Sequence, residues 1–480
     1  MAIRLTVTLS VLAFLGAPAF PADELPTVQG EVTFSKDIAP ILQRSCQNCH
    51  QPNSVAPMSL ISYKDVRPWA KSIKQRTLLR DRPGVMPPWY IEKNVGIQHY
   101  KNDPSLSDLE LAKIAKWADT GAPEGNPADL PPPRPLLDGT KWTLGEPDLV
   151  ISTPEVTVKA GSPDWWGGLD PSPTGITEDR WVKSVEIREA NDVPSGSDGG
   201  RKTIAGRYVF HHMIWTTSVP GQQAGLGDDV GEGSGDWPIH EPGRNADVFP
   251  DDAGKLLKAG SSVVFASTHL HSNGRDTKAR LLFGFKFFPK TYKPTMRYVS
   301  RELGNGVDID IRAGETNQRL DAYNVLEAHT KIKSFEPHLH APGIRMCLEA
   351  IWGINIQTLT CAGYDHNWVR VYEYEDDYAP LLPKGTILHI IGYMDNTAAN
   401  RNVTDPRNWS GAGNRSIANM FIDLGQSIAM TDGQFYAEMK KRRERLKLTP
   451  NDVVIGCPLC NDDPIAPPRK RTPAETGGTQ

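Results

Sequence analysis

The chain has 480 residues, more than one hydrophobic core usually contains, so two to four domains are expected. Its net charge is -4 and its pI is about 6.3, so neither nucleic acid nor an anionic membrane is an expected partner. The 40 prolines and 42 glycines, with only 39% hydrophobic residues, favour strands and loops over long helices.

Residues 1–22 have the pattern of a secretory signal peptide. One arginine precedes an apolar run, which is followed by small residues, and cleavage after Ala19 or after Ala22 would fit this pattern. No later segment approaches the roughly 20 apolar residues that a membrane-spanning helix needs. We therefore expect a mature chain without a membrane span, located in the periplasm or secreted.

The stretch 46–50 reads Cys-Gln-Asn-Cys-His, which is the C-x-x-C-H attachment motif of c-type haem. Cys46 and Cys49 would bond to the haem vinyl groups, and His50 would bind the iron. Haem is attached in this way outside the cytoplasm, in agreement with the predicted export. A redox or zinc C-x-x-C that happens to precede a histidine is the alternative. We expect one covalent haem c.

Two predicted helices frame this motif. One leads into it over residues 32–50, and the other covers residues 105–125, with Ser107 as its N-cap. This pattern resembles a small all-α class I cytochrome c domain, to which we assign residues 23–130. The proline-rich stretch 126–139 then reads as a linker.

The second axial ligand of the haem iron should be a methionine or histidine after the motif. Met86 lies in "RPGVMPPWY", where prolines would hold it in a stiff, extended loop, and it is our first choice. Met58 and His99 are the alternatives.

Beyond the linker, short strands alternate with Gly/Pro turns for some 300 residues, which predicts β-sandwiches. Three histidine pairs lie in this region: His211 with His212, His269 with His271, and His338 with His340. An i, i+2 pair on a strand presents both imidazoles on one face, where they could hold one metal ion. Adjacent residues normally point to opposite faces. The alternative is packed strand histidines with ordinary hydrogen bonds.

The remaining four cysteines form two further pairs. Cys347 and Cys361 flank the turn-like stretch "IWGIN", which predicts a hairpin with a cross-strand disulfide. Cys457 and Cys460 form "CPLC" in a tail, residues 451–480, that is rich in Pro and Asp. A local disulfide is the first expectation there, and loose metal binding or no role at all are the alternatives.

The order H-H, H-x-x-x-N-G, P-H-x-H and then a methionine resembles that of the copper type II, ascorbate-dependent monooxygenases. This family includes the peptidylglycine α-hydroxylating and dopamine β-monooxygenases. The likeness is closer still to bacterial relatives with an N-terminal cytochrome c, and segments such as "WTLGEPDLVI" and "RSIANMFIDLG" extend it over most of residues 140–430. It implies a mainly β fold with two jelly-roll β-sandwiches, residues 131–300 and 301–450, and one copper in each.

By this resemblance, His211, His212 and His269 would hold the first copper. A distorted strand or a bulge must then turn the two adjacent rings to the same side. His271 is extra to the pattern and is expected to orient a ligand ring. Four other histidines are expected to be structural, although the last of them replaces an aromatic residue common in these proteins: His240, His329, His389 and His366.

The second copper would be held by His338, His340 and Met420. A thioether is a soft ligand that favours Cu(I), and zinc would be an improbable partner for it. Met420 therefore distinguishes a copper site from a zinc site. The alternative is a methionine packed on an apolar strand.

Three positions depart from the peptide-amidating enzymes. Glu336 stands where those enzymes have an arginine that helps to clamp the substrate carboxylate, and Ile422 and Leu424 stand where they have Asn and Tyr. A glycine-extended peptide is therefore not the expected substrate.

The resemblance implies an exported haem- and copper-containing monooxygenase that uses O₂ to hydroxylate a C–H bond of an unidentified organic substrate. The Met420 site would be catalytic, the three-histidine site would supply the second electron, and an external donor would deliver electrons by way of the haem. The main alternative is a non-catalytic electron-transfer or copper-holding subunit of an exported redox complex. A haem-bearing sandwich that binds sugars or a partner would require every histidine pair to be a coincidence.

Overall fold

A computed structural model of the protein describes residues 25–136 (except 53, 55 and 57), 141–194, 208–220, 237–240, 245–300, 303, 304, 306, 309–413 and 418–460. The predicted signal peptide and residues 461–480 of the predicted tail lie outside the described residues. Strands predominate, as predicted, and helices are concentrated before residue 130. None of the helices in these ranges combines the length and the apolar character that crossing a bilayer requires.

The helical module comprises the described helices before residue 130. They are a π-helical turn Phe34–Ile38, α1 Ala39–Ser45, α2 Tyr63–Val66, a 3-10 turn Arg67–Trp69, α3 Ala70–Thr77, α4 Asp108–Asp119 and a 3-10 turn Pro127–Asp129. Ser107 caps α4 as predicted: its hydroxyl accepts from the Glu110 amide, and the Glu110 carboxylate accepts from the Ser107 amide. Trp117 of α4 is fully buried, with its ring 6.3 Å from that of Phe34, and it belongs to the same small core as Leu42 of α1.

The first sandwich follows the linker. Its strands are β1 Leu149–Ser152, β2 Val156–Val158, β3 Trp165–Pro173, β4 Arg180–Asn191, β5 Phe210–Ser218, β6 Ala246–Val248, β7 Lys255–Leu257, β8 Ser262–Leu270 and β9 Thr277–Phe287. One sheet has the order β1-β9-β4-β6, with β2 on β9 and β7 on β4, and the other has the order β3-β8-β5. Val185 and Phe283 from one sheet and Trp215 and Phe265 from the other share a buried core. This arrangement is consistent with the predicted β-sandwich.

The second sandwich contains β10 Arg297–Ser300, β11 Leu303–Gly304, β12 Gln318–Val325, β13 His329–Ile332, β14 Ser334–Phe335, β15 Pro337–His338, β16 Gly343–Trp352, β17 Asn355–Gly363, β18 Tyr372–Glu373, β19 Leu381–Leu382, β20 Ile387–Met394, β21 Ile422–Asp423 and β22 Gln426–Met430, followed by α5 Asp432–Leu446. Its sheets have the orders β12-β20-β16-β17, β10-β22-β13-β19, β11-β21-β15 and β14-β18. Because β10 pairs with β22, the second group of strands begins slightly before the boundary at residue 300 expected from the sequence.

Both predicted disulfides are present. Cys347 and Cys361 lie directly opposite each other in the β16–β17 hairpin, and Cys457 is bonded to Cys460. Cys46 and Cys49 are free thiols. The tail is not wholly separate from the sandwich, because the amide of Leu381 donates to the carbonyl of Gly456.

A docking segment, residues 89–101, connects the helical module to the second sandwich. Its amides at Glu92 and Ile97 donate to carbonyls of β17, at 2.9 and 2.8 Å. Trp89 and Tyr100 are buried in the core of this sandwich. Gly96 has a φ of +63°, and a Cβ there would lie 2.2 Å from the Leu359 carbonyl oxygen, so this close approach requires glycine. The helical module is therefore fastened to the second sandwich, although the first follows it in sequence.

Candidate metal centres

The first histidine cluster consists of His211, His212 and His269. Each offers one ring nitrogen, and these three atoms lie within 4.8 Å of one another. Nδ1 of His211 is 3.2 Å from Nδ1 of His212, and the ring of His269 lies 4.7 Å from that of His211 between centroids. The structure thus brings together the three residues that the sequence predicts for the first metal.

A β-bulge explains how two adjacent histidines face the same partner. Phe210 is paired with Leu270 and His212 with His269, so one extra residue, His211, stands between two consecutive pairs. A bulge of this kind inserts a residue into one strand and redirects its side chain. The prediction that a distorted strand turns both rings to one side is confirmed.

Two further residues support the cluster: Asp164, which immediately precedes β3, and Trp166, which lies in β3. The sequence did not predict either of them. The Nε2–H of His269 donates to the Asp164 carboxylate at 2.9 Å, which leaves Nδ1, buried and without a hydrogen-bond partner, as the ligand atom. The indole of Trp166 stacks on His269 with centroids 3.8 Å apart and planes at 10°. A carboxylate that accepts the second N–H of a ligand histidine fixes its tautomer and orientation.

Burial keeps these imidazoles uncharged. It lowers the pKa of His211 to about 3, with the neighbouring His269 adding to the effect. Burial also lowers the pKa of His269, although Asp164 opposes this shift. A neutral imidazole has the free lone pair that a metal requires. The first cluster is therefore in its metal-binding protonation state at neutral pH.

His271 lies beside the first cluster, with its ring centroid 5.3 Å from that of His211. Its Nε2–H donates to the backbone carbonyl of Tyr208 at 3.2 Å. Among the described residues, its hydrogen bond is to the backbone and not to a ligand histidine, so the expected role of orienting a ligand ring stays a prediction.

The second cluster consists of His338, His340 and Met420. The rings of His338 and His340 have centroids 5.0 Å apart and are both buried. The strand that carries His338 is only two residues long, and His340 lies beyond its end, where it adopts a left-handed backbone with φ of 62°. The two rings therefore approach each other without the regular strand that the i, i+2 spacing predicted.

Strand pairing brings the backbone of Met420 close to the histidine pair. His338 is opposite Ile422 in the β15–β21 ladder, and the Met420 amide donates at 3.3 Å to the carbonyl of Leu339, the residue between the two histidines. Met420 is half-buried and lies some 80 residues further along the chain than His340. Its role as the third ligand of this cluster stays a prediction.

His366 lies beside the second cluster, and its expected structural role stays a prediction. Its ring centroid is 6.0 Å from that of His340. Burial lowers its pKa to about 4, and the next contribution comes from His269 of the first cluster. Burial and the other two rings of its own cluster hold the pKa of His212 well below its usual range, and His338 lowers it further. The two clusters therefore lie within electrostatic reach of each other.

Two other histidines are structural, as expected. His329 accepts a hydrogen bond from the Lys384 amide and stacks on Phe435. His389 is bonded to two carboxylates, those of Glu349 and Asp321, at 2.9 and 2.7 Å. Their rings are engaged by these contacts and not by either cluster.

The C-x-x-C-H motif lies just after α1. The amides of Cys49 and His50 both donate to the Cys46 carbonyl, which forms a tight turn. The Nδ1–H of His50 donates to the Met58 carbonyl at 3.2 Å, and Nε2 has no hydrogen-bond partner among the described residues, which leaves it available to a metal. Burial raises the pKa of the Cys46 thiol to about 12 and lowers that of His50. Two protonated thiols beside a neutral imidazole are the groups that covalent haem attachment uses.

The position of the second axial ligand stays a prediction. Met86 is 37% exposed, and its amide donates to the Arg76 carbonyl. Between described residues, no hydrogen bond or ring contact joins Met86 to His50. Met58 packs against the helical core, whereas His99 stacks on Tyr378 of the second sandwich with centroids 3.5 Å apart.

Comparisons with known proteins assign no family. No family model and no curated protein matches the chain. The tandem CBM22-1–CBM22-2 domain of Paenibacillus barcinonensis Xyn10C is 12% identical, with a TM-score of 0.16, over 61% of this chain and 100% of that one. A structure of the infectious bursal disease virus Gx strain is 9% identical, with a TM-score of 0.16, over 60% of this chain and 74% of that one. Neither likeness is close enough to assign a fold or a function.

Proposed function

We propose that this chain is an exported monooxygenase that carries one covalent haem c and two copper ions. The observation that supports the proposal is the pair of histidine clusters, three imidazoles and two imidazoles, within electrostatic reach of each other, with the backbone of Met420 bonded between the two histidines of the second. Copper at these sites would supply the chemistry R–H + O₂ + 2e⁻ + 2H⁺ → R–OH + H₂O. The resemblance to the copper type II, ascorbate-dependent monooxygenases gives the same donor sets.

The first cluster suits an electron-transfer role. Three imidazoles on two paired strands, one of them fixed by Asp164 and Trp166, leave little room for ligand movement. A site that changes little between Cu(I) and Cu(II) loses little energy to reorganisation. His211, His212 and His269 would therefore hold the copper that stores the second electron.

The second cluster suits a catalytic role. The thioether of Met420 favours Cu(I), which is the oxidation state that reacts with O₂. His338 and His340 leave further coordination positions open, as a site for an incoming ligand requires. Met420 also argues against zinc, which is rarely bound by methionine.

The haem motif fits the same function. His50 has Nε2 free and Nδ1 fixed by a backbone carbonyl, and both cysteines are unpaired although the other four form disulfides. A haem attached there would accept single electrons from an external donor. Disulfides also support the proposed periplasmic or secreted location, because they persist in oxidising compartments.

The substrate is an organic molecule without the carboxylate that peptide-amidating enzymes clamp. Glu336 is buried two residues before His338, at the position where those enzymes have the clamping arginine, so it cannot supply the positive charge that would bind a substrate carboxylate. The absence of the clamping arginine at position 336 also favours the second candidate function, a non-catalytic electron-transfer or copper-holding subunit.

Oxygen consumption distinguishes the two functions. The haem-containing, copper-loaded chain is reduced and mixed with ¹⁸O₂ and a panel of organic compounds. Oxygen consumption and the formation of ¹⁸O-labelled alcohols are then measured. The enzyme incorporates one ¹⁸O atom per product. The variant Met420→Ala should keep the first copper and lose uptake, whereas Met296→Ala, a half-buried methionine in a separate apolar cluster, should behave as wild type. Reoxidation of haem and copper without any labelled product would support the electron-transfer subunit.

A further inference from the structure

Two backbone amides immediately before the bulge at His211 donate to one carboxylate. The amide of Phe210 donates to the Glu189 carboxylate at 2.8 Å, and the amide of Val209 donates to both of its oxygens, at 3.1 and 3.0 Å. In a regular strand, adjacent amides point to opposite edges and could not share an acceptor. The backbone is therefore already turned out of the regular strand one residue before His211.

Glu189 belongs to the opposite sheet of the first sandwich. It lies near the end of β4, whereas Val209 and Phe210 lead into β5 of the β3-β8-β5 sheet. The side-chain amide of Asn191 donates to a Glu189 oxygen at 2.7 Å and so helps to orient the carboxylate. Adjacent backbone N–H groups that converge in this way form a nest for an anion. Glu189 therefore fixes the distorted backbone from outside the sheet in which the histidines lie.

The segment before the bulge is fixed on its other side as well. The amide of His271, which follows β8, donates to the Val209 carbonyl at 2.9 Å. Val209 and Phe210 are buried, and buried amides need an acceptor. Removal of the Glu189 carboxylate would therefore destabilise the one backbone conformation that keeps the bulge in place.

We propose that Glu189 is a positioning residue that preorganises the first cluster before a metal binds. Without the bulge, regular alternation would turn His211 and His212 to opposite faces of β5. Glu189 acts on these rings through the backbone and not as a ligand. A site held in its binding geometry in advance loses less free energy to ordering when the metal arrives. This inference rests on the proposed copper site of the first cluster.

Glu186 provides a matched control on the same strand. Its carboxylate also accepts from two adjacent amides, those of Thr143 and Leu144, at 2.8 and 2.9 Å. These two residues precede β1 and lie in a segment without histidine. Because Glu186 is buried and Glu189 is half-buried, loss of the Glu186 carboxylate should destabilise the fold at least as much. Only loss of the Glu189 carboxylate should change the first cluster.

The test compares Glu189→Gln with Glu186→Gln in the full-length, haem-containing chain. Before copper is added, the amides of Val209 and Phe210 should exchange hydrogen roughly tenfold faster in Glu189→Gln, because each loses a bond to a charged acceptor. Copper competition titrations should then show a fall of about 10-fold in first-cluster affinity and no change at the second cluster. Electron paramagnetic resonance of the Cu(II) form should show an altered first-cluster signal. Glu186→Gln should match the wild type in all three measurements.

The outcomes separate this inference from the proposed function. Unchanged first-cluster affinity in Glu189→Gln, or an equal loss in Glu186→Gln, would overturn the inference and leave the monooxygenase intact. A wild-type chain that binds no copper at the first cluster would overturn the proposed function, and the inference with it. If Glu189→Gln does not accumulate as folded protein, Glu189→Asp decides: a loss of affinity confined to the first cluster supports the inference, and wild-type exchange and affinity overturn it.

Discussion

The two histidine clusters use similar ligands on very different supports. The first stands on β5 and β8, two long paired strands, with Asp164 and Trp166 fixing one of its rings. The second stands on a strand of two residues, with one histidine in a left-handed conformation and a methionine brought in by a single backbone hydrogen bond. The support of the first cluster is thus more regular than that of the second, in keeping with the division of labour that we propose.

The largest expected effect follows from removing a ligand of the rigid cluster. His269→Ala deletes one of three nitrogens and also leaves Asp164 and Trp166 without their partner. We expect its copper affinity to fall by more than the roughly 10–100-fold that loss of an outer hydrogen-bond partner costs. Copper competition titrations measure this, with His329→Ala as the control. Retention of both coppers with unchanged affinity would contradict the assigned ligand set.

Removing the soft ligand should affect only one oxidation state. Met420→Ala is expected to weaken Cu(I) binding at the second cluster by roughly 10–100-fold and Cu(II) binding far less, because the thioether contributes mainly to Cu(I). Competition with Cu(I)- and Cu(II)-selective chelators separates the two affinities. Equal weakening of both would mean that Met420 acts by packing and not as a ligand.

A smaller effect is expected from the carboxylate behind His269. Asp164→Asn keeps the size of the side chain and removes its charge, so the ring loses part of its orientation and basicity. We expect first-cluster copper affinity to fall by about 10-fold, with the second cluster unchanged. Copper competition titrations measure this loss of affinity. Equal losses at both clusters would show that the substitution disturbs the fold instead.

The smallest effect is expected at His366. Since its ring adjoins His340 but completes neither donor set, His366→Phe should change copper affinity at either cluster by less than about threefold, on the scale of a substitution outside the key contacts. Electron paramagnetic resonance of the Cu(II) form should show an unchanged number of nitrogen ligands. Loss of one nitrogen at the second cluster would make His366 a ligand and weaken the contrast between the clusters.

The sequence predicted what local pattern and spacing encode. The Cys347–Cys361 bridge followed from a hairpin, the Ser107 cap from its position before an apolar run, and the bulge at His211 from two adjacent histidines with a shared task. Asp164 and Trp166 could not be predicted, because they reach His269 only when β3 pairs with β8, across about 100 residues of sequence.

The docking segment was also missed, for a different reason. Residues 89–101 have no helical or strand periodicity of their own, and their structure comes from the edge of β17. The same holds for His366, whose neighbour His340 and the more distant His269 come from other parts of the chain. Contacts between units leave little trace in local sequence.

Anomalous diffraction from crystals of the haem-containing, copper-loaded chain tests the central claim most directly. The account predicts two copper peaks, one at His211, His212 and His269 and one at His338, His340 and Met420, together with an iron peak at His50. A single copper peak, or copper at the three histidines with nothing beside Met420, would contradict it.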